Sequence, residues 1–458
     1  MSVVQPTKRA KAAVGLILVL VIGSDGLDLS LRPHSKPSSV SYPCRFVVGP
    51  TRLAKPHRHP RLPMRGYRYP TVRGAGDSLS SEPSQNRPSW AWVWMPTWLF
   101  TMNPLAQFLT TMGFYLLHIL VLSQRQLVFP IQLIPNEKGQ FASIGYDSIA
   151  GILVAVCYTI LRKASTQSSL QSSSEAPFPA LFKSPTSDAP WKLPSNHIRH
   201  RVSSFLTIIL LVQAYFFTGR FSLFWEDTLY TMSGLGWPLT APMHRSLCVL
   251  FGHLSWLITG TLLLRFVPRP PRFFGPKAVY NTDDDDAVSS KSPAKPAYRW
   301  FRSSIRRNWV WWVVGGYFVS SWLFNITDVI NQFVLPTAVL EDAQESVVSQ
   351  LVNPEHNDIA ASVAGYIAPC LTAPWWEEVL YRGFLLAGLS QLLGYPWAVF
   401  VQGLIFSAHH MSLTAALPLA VLGWTWAILY TKCRNLFTVI FVHALWNSRV
   451  FLGSWLGL

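Results

Sequence analysis

Charge is scarce in this chain. Only 22 of its 458 residues are Asp or Glu, and charged residues of both signs make up 13%, about half of what a soluble domain carries. A water-soluble globular protein is therefore excluded as the simplest reading, and the apolar half of the composition points to lipid. The five cysteines, Cys44, Cys157, Cys248, Cys370 and Cys433, are scattered with no CxxC, which excludes a disulfide framework or a zinc knuckle as the organising principle. There is no HExxH stretch, no internal repeat and no nucleic-acid-binding motif. The formal charge of +16 is concentrated in the N-terminal tail and two inter-helix loops, so it reads as membrane topology and targeting, with no nucleic acid as partner.

What is present is a series of long apolar runs. Residues 1–24 read as a signal peptide or signal anchor, with Lys8, Arg9 and Lys11 ahead of the apolar Ala12 to Gly23. Residues 25–88 form a basic, transit-like segment, rich in Arg, Ser, Pro and His, whose composition predicts disorder. Such a bipartite leader resembles those of proteins imported into complex plastids. A plastid membrane is placed ahead of the endoplasmic reticulum, where the same residues would act as an anchor followed by a tail.

Apolar segments follow at about 98–122, 145–162, 203–219, 246–266, 309–326, 359–389, 393–411, 414–431 and 436–456. Their length predicts an all-α fold, a multi-spanning transmembrane bundle of about eight to nine helices. The N-terminal helices occupy 89–330, with polar linkers at 163–202 and 267–308, the second holding the acidic run Asp283 to Asp286. An acidic loop spans 331–357 and a C-terminal helical domain 358–458. If each segment crosses once, the basic connections around Arg162 and Arg201, Arg265 and Arg307, and Lys432 and Arg434 share one face. The acidic loop then lies on the other, and the positive-inside rule places the basic face towards cytosol or stroma.

Three polar constellations interrupt the last apolar segments, where an unpaired charge is expensive. In TAPWWEEVLYRGFLL (372–386), Glu378 and Arg382 are four apart and share a helix face, which predicts an ion pair. Glu377 points about 100° away and is free for another task, while Pro374 marks a helix start or kink. A structural role explains Glu378 and Arg382 well and Glu377 poorly. In FSAHHMS (406–412), His410 shares a face with Phe406 and His409 faces elsewhere; alone, such a histidine is more often a packing residue than a catalyst. In HALWN (443–447), His443 and Asn447 share a face and can donate towards one point, for an oxyanion or simply for a neighbouring helix. Together these are the parts for hydrolysis by water: Glu377 as general base, His410 positioning the water or sharing its proton, His443 and Asn447 stabilising the oxyanion. No cofactor is favoured. Zinc held by Glu377, His410 and His443 is the alternative, with a fourth position left for water.

The segments EEVLYR, FSAHH and HALWN resemble, in order and spacing, the EExxxR, FxxxH and HxxxN motifs of the CAAX-protease and bacteriocin-processing family. That family includes the Rce1-type protease of the endoplasmic reticulum, which trims prenylated CAAX proteins. The resemblance covers about Asp358 to Phe451 and implies an intramembrane endopeptidase with Glu377, His410, His443 and Asn447 catalytic and Glu378 with Arg382 structural. Tyr381 stands where the family often has Phe, and His409 adds a second candidate beside His410, which is preferred because its offset from Phe406 matches the motif. The implied partners are the lipid bilayer and a membrane-associated protein or peptide, prenylated in the CAAX case. The family also holds non-proteolytic plastid scaffolds that bind and stabilise partner enzymes, so the alternative function is scaffolding.

Overall fold

The computed structural model describes residues 95–131, 140–169, 190–191, 198–267, 273, 300–306, 308–336 and 347–457, which fall within one compact unit. The expected leader (1–24), the basic segment (25–88), most of both linkers and part of the acidic loop lie outside the described residues.

Helices dominate, as composition predicts. In chain order they are α1 (Pro104–Leu117), which widens into a π turn at His118–Leu122, α2 (Tyr146–Ser169), α3 (Ile198–Gly234), α4 (Ala241–Phe266) and α5 (Val310–Val334). There follow α6 (Val347–Val352), α7 (Ile359–Ile367), α8 (Ala373–Glu378), α9 (Leu386–Leu393), α10 (Tyr395–His409), α11 (Ala416–Cys433) and α12 (Leu436–Trp455). Among the described residues five helical stretches are long and apolar enough to cross a membrane: Pro104–Leu122, Ile198–Gly234, Ala241–Phe266, Val310–Asn331 and Leu436–Trp455. Many of their large apolar side chains are exposed, among them Leu109, Phe217, Leu223, Ile258 and Leu262. Such surface is stable only against lipid, and the chain is an integral membrane protein. The segments from 359 to 433 are shorter or interrupted, and they use burial inside the bundle in place of lipid contact.

Local chemistry sets the helix starts. Asn103 accepts from the Ala106 amide at 2.8 Å ahead of Pro104, and Thr240 accepts from the Met243 amide at 3.2 Å ahead of Pro242. Asp358 accepts from the Ala361 amide at 3.0 Å. These are N-caps that satisfy donors a helix leaves open. The Thr240 hydroxyl also donates to Asp358 at 2.6 Å, so the starts of α4 and α7 are tied together. Gly394, at φ 82°, turns the chain between α9 and α10 in a conformation other residues resist.

Three features depart from the sequence-based picture. A two-stranded antiparallel ribbon, β1 (Gln126–Ile131) paired with β2 (Gln140–Gly145), occupies the connection between α1 and α2. Its β-branched and aromatic residues favour extended pairing. α3 runs 37 residues, well past the expected end near 219, because nothing from Arg220 to Ser233 breaks a helix. At ~1.5 Å per residue it exceeds the hydrocarbon thickness, so it tilts or projects. The expected single segment 359–389 is five pieces, with π turns at Ala368–Thr372 and Val379–Leu385.

A buried polar node joins α1, α2 and α5. His118 Nε2 lies 3.2 Å from Asp147 Oδ2, the Tyr317 hydroxyl 2.8 Å from His118 Nδ1, and Ser321 donates to Asp147. It packs the outer helices against the core that carries the C-terminal motifs.

Candidate active site

The site forms where the interrupted helix α7–α9 meets α10, α11 and α12. The first π turn explains one contact. The Ala373 amide bonds back to the Ala368 carbonyl, so the Pro369 carbonyl would next be served by residue 374, a proline with no N–H. Asn447 supplies the missing donor, its Nδ2 lying 2.6 Å from that carbonyl. The irregular backbone is thus satisfied by a side chain from α12.

Glu378 and Arg382 follow in the next turns, both with 0% of the side chain exposed. Arg382 Nη1 lies 2.8 Å from Glu378 Oε1. The guanidinium also donates to the Gly423 carbonyl at 3.2 Å and sits 4.6 Å over the Phe406 ring and 5.3 Å over Trp426. His443 joins this pair, its Nδ1 being 2.9 Å from Glu378 Oε1. A carboxylate only accepts, so the proton of that bond is on Nδ1; Nε2 then offers a lone pair in the neutral ring and a donor in the protonated one.

Glu377 points away from that cluster. It is 6% exposed, and its Oε2 is buried without a hydrogen-bond partner. Ligand-capable atoms of Glu377, His409 and His410 all lie within 4.8 Å of one another. His410 Nδ1 donates to the Phe406 carbonyl at 2.8 Å, which leaves the Nε2 lone pair for a proton or a metal. His409 is held by Tyr215 and Trp256, with ring centroids at 4.5 and 4.8 Å, and its Nδ1 is buried without a partner.

Helical spacing turns His409 away from His410, yet the structure draws both towards Glu377. The reason is that adjacent side chains on a helix diverge by only about 100°, so both imidazoles, with ring centroids 5.2 Å apart, reach a carboxylate that helix packing sets before them. Among the described residues the trio that converges is Glu377, His409 and His410, with His443 engaged by Glu378 instead.

Beside Glu377 lies a cavity of about 410 Å³ walled mainly by α3 and α4. Tyr215, Trp256 and His253 line it, and none was singled out from the sequence. The available signal was a lone histidine in the apolar run of α4. Gly260 of α4 lets Trp376 pack against the helix, for a Cβ there would stand 2.2 Å from the indole.

This geometry lies within a segment that known proteins share. Residues 359–449 match the family model described as type II CAAX prenyl endopeptidase Rce1-like. The C-terminal helices are thus similar to Rce1-like endopeptidases over about a fifth of the chain. That segment holds Glu377, Glu378, Arg382, His409, His410, His443 and Asn447, but none of the α3 and α4 residues around the cavity. The chain is also 22% identical over 139 residues to the protein named "Putative membrane peptidase YdiL" of Bacillus subtilis (strain 168). That similarity covers 30% of this chain and 54%, about half, of the relative's length. No solved structure matches.

Proposed function

We propose that the protein is an intramembrane endopeptidase that cleaves membrane-associated peptides, prenylated CAAX-type chains among them, by glutamate-activated water. The observation that carries the reading is the buried Glu377 carboxylate, with one oxygen unpartnered, beside two imidazoles in an Rce1-like segment. Glu377 takes a proton from water as the water oxygen attacks the peptide carbonyl carbon. His410 Nε2 orients that water. Asn447, fixed through one N–H by the Pro369 carbonyl, has a second N–H for the oxyanion, and His443 supplies a further donor when protonated. As the C–N bond breaks, the proton held by Glu377 passes to the departing amine. Glu378 and Arg382 hold the helix and orient His443.

A second reading rests on the same trio. One carboxylate oxygen of Glu377 and one imidazole nitrogen each of His409 and His410 form a donor set of the kind a catalytic zinc takes, and the unpartnered Glu377 Oε2 and His409 Nδ1 fit such a ligand. Zinc there would polarise the carbonyl or acidify a bound water.

The test is cleavage of an internally quenched, farnesylated CAAX peptide by the purified full-length chain, alongside Glu377→Gln. Loss of at least about a hundredfold in the variant, with its helicity unchanged, is the expected result. Wild-type turnover by Glu377→Gln overturns the proposal. Activity that survives strong chelator supports the metal-free form; loss restored by zinc supports the second.

A further inference from the structure

Four buried polar atoms around one cavity have no hydrogen-bond partner: Oε2 of Glu377, Nδ1 of His409, Nε2 of His253 and the indole Nε1 of Trp256. Buried polar groups are nearly always paired, so a cluster of orphans marks a place where something else supplies the bonds. Glu377 and His409 belong to the centre already described. His253 sits on α4, about a hundred residues before the Rce1-like segment and outside all three motifs.

The cavity walls restrict what the missing partner is. Tyr215, Phe216 and Trp256 make most of the lining apolar, and Gly219 and Gly252 keep the trough between α3 and α4 open. A hydrocarbon chain fits such walls but leaves every orphan atom unpaired and desolvated. An extended polypeptide satisfies both demands: its side chains meet the aromatic wall while its main-chain N–H and C=O groups face the polar atoms.

We infer that His253 is a substrate-binding residue whose Nε2 hydrogen-bonds the main chain of an extended peptide lying between α3 and α4 against Glu377. The inference rests on the reading of Glu377 as the catalytic carboxylate, and it adds a recognition element from outside the family segment. His253 holds the peptide next to the reacting carbonyl and takes no part in proton transfer.

The experiment separates binding from chemistry. The full-length Glu377→Gln protein in detergent micelles is titrated with the farnesylated CAAX peptide carrying a fluorophore, and anisotropy gives Kd. Adding His253→Phe, which keeps a flat ring and removes the hydrogen bond, is expected to weaken binding at least tenfold. Adding His253→Gln, which retains a polar atom, is expected to recover most of it. In the otherwise wild-type chain, His253→Phe raises KM at least tenfold and changes kcat by less than threefold. Unchanged Kd in the Phe variant overturns the inference, as does equal loss in Phe and Gln with a lowered unfolding midpoint, which would mark a packing residue. Failure of the Glu377→Gln parent to bind the peptide overturns it too. Cleavage by Glu377→Gln overturns the catalytic reading instead, while the Kd comparison still decides His253.

Discussion

Arg382 gives the sharpest test of how the polar cluster is held in an apolar bundle. Its guanidinium is fully buried, pairs with an equally buried Glu378, and touches the Gly423 carbonyl and two aromatic rings. Arg382→Met removes the cation and strands the carboxylate on a single partner, His443. Breaking one side of a buried pair costs about 3–5 kcal/mol, chiefly because the remaining charge stays desolvated. Glu378→Gln is milder, since the amide still accepts from His443 and the guanidinium keeps Gly423 and the aromatic faces; about 1–3 kcal/mol is expected. The double variant removes both charges of the pair. It should therefore be more stable than Arg382→Met alone, which makes the two changes strongly non-additive. Unfolding by increasing SDS in mixed micelles, followed by far-UV circular dichroism, measures all three. If Arg382→Met costs less than about 1 kcal/mol, or the double variant is the least stable, the pair is not buried as described.

Other expectations follow from single contacts. Asn447→Ala orphans the Pro369 carbonyl in the π turn and should cost about 1–3 kcal/mol in the same SDS titration. Gly260→Val puts a methyl-bearing carbon where the Trp376 indole lies, so it should destabilise by about 1–3 kcal/mol and reduce peptide cleavage by shifting the neighbouring Glu377. The Thr240 hydroxyl and then the Ala361 amide hold the Asp358 carboxyl below its ordinary range. A depressed acid contributes stability above the usual carboxylate range and loses it as pH falls through its lowered value. Unfolding midpoints should thus fall on acidification, less so in Asp358→Asn; identical pH profiles for the two would refute this.

Much of the site was legible because helices impose local order. Glu378 and Arg382 are four residues apart on one helix, and their contact needs only the 3.6-residue period. The separate direction of Glu377 and the His410–Phe406 contact have the same origin. His409 stood only as a second candidate, because which imidazoles meet Glu377 depends on how α8 and α10 pack and not on spacing along one helix. The β1–β2 ribbon and the length of α3 were missed because hydropathy marks apolar cores and not the ends of elements.

Composition and spacing by themselves determined a helical membrane protein with three buried polar motifs, since apolar length and i,i+4 periodicity are local quantities. The tertiary structure decided what those motifs touch. His443 reaches Glu378 from 65 positions away, Asn447 repairs the carbonyl that Pro374 leaves open, and His253 meets Glu377 across one cavity. Such partnerships arise from how helices pack, and no periodicity along one helix specifies which face of another it meets.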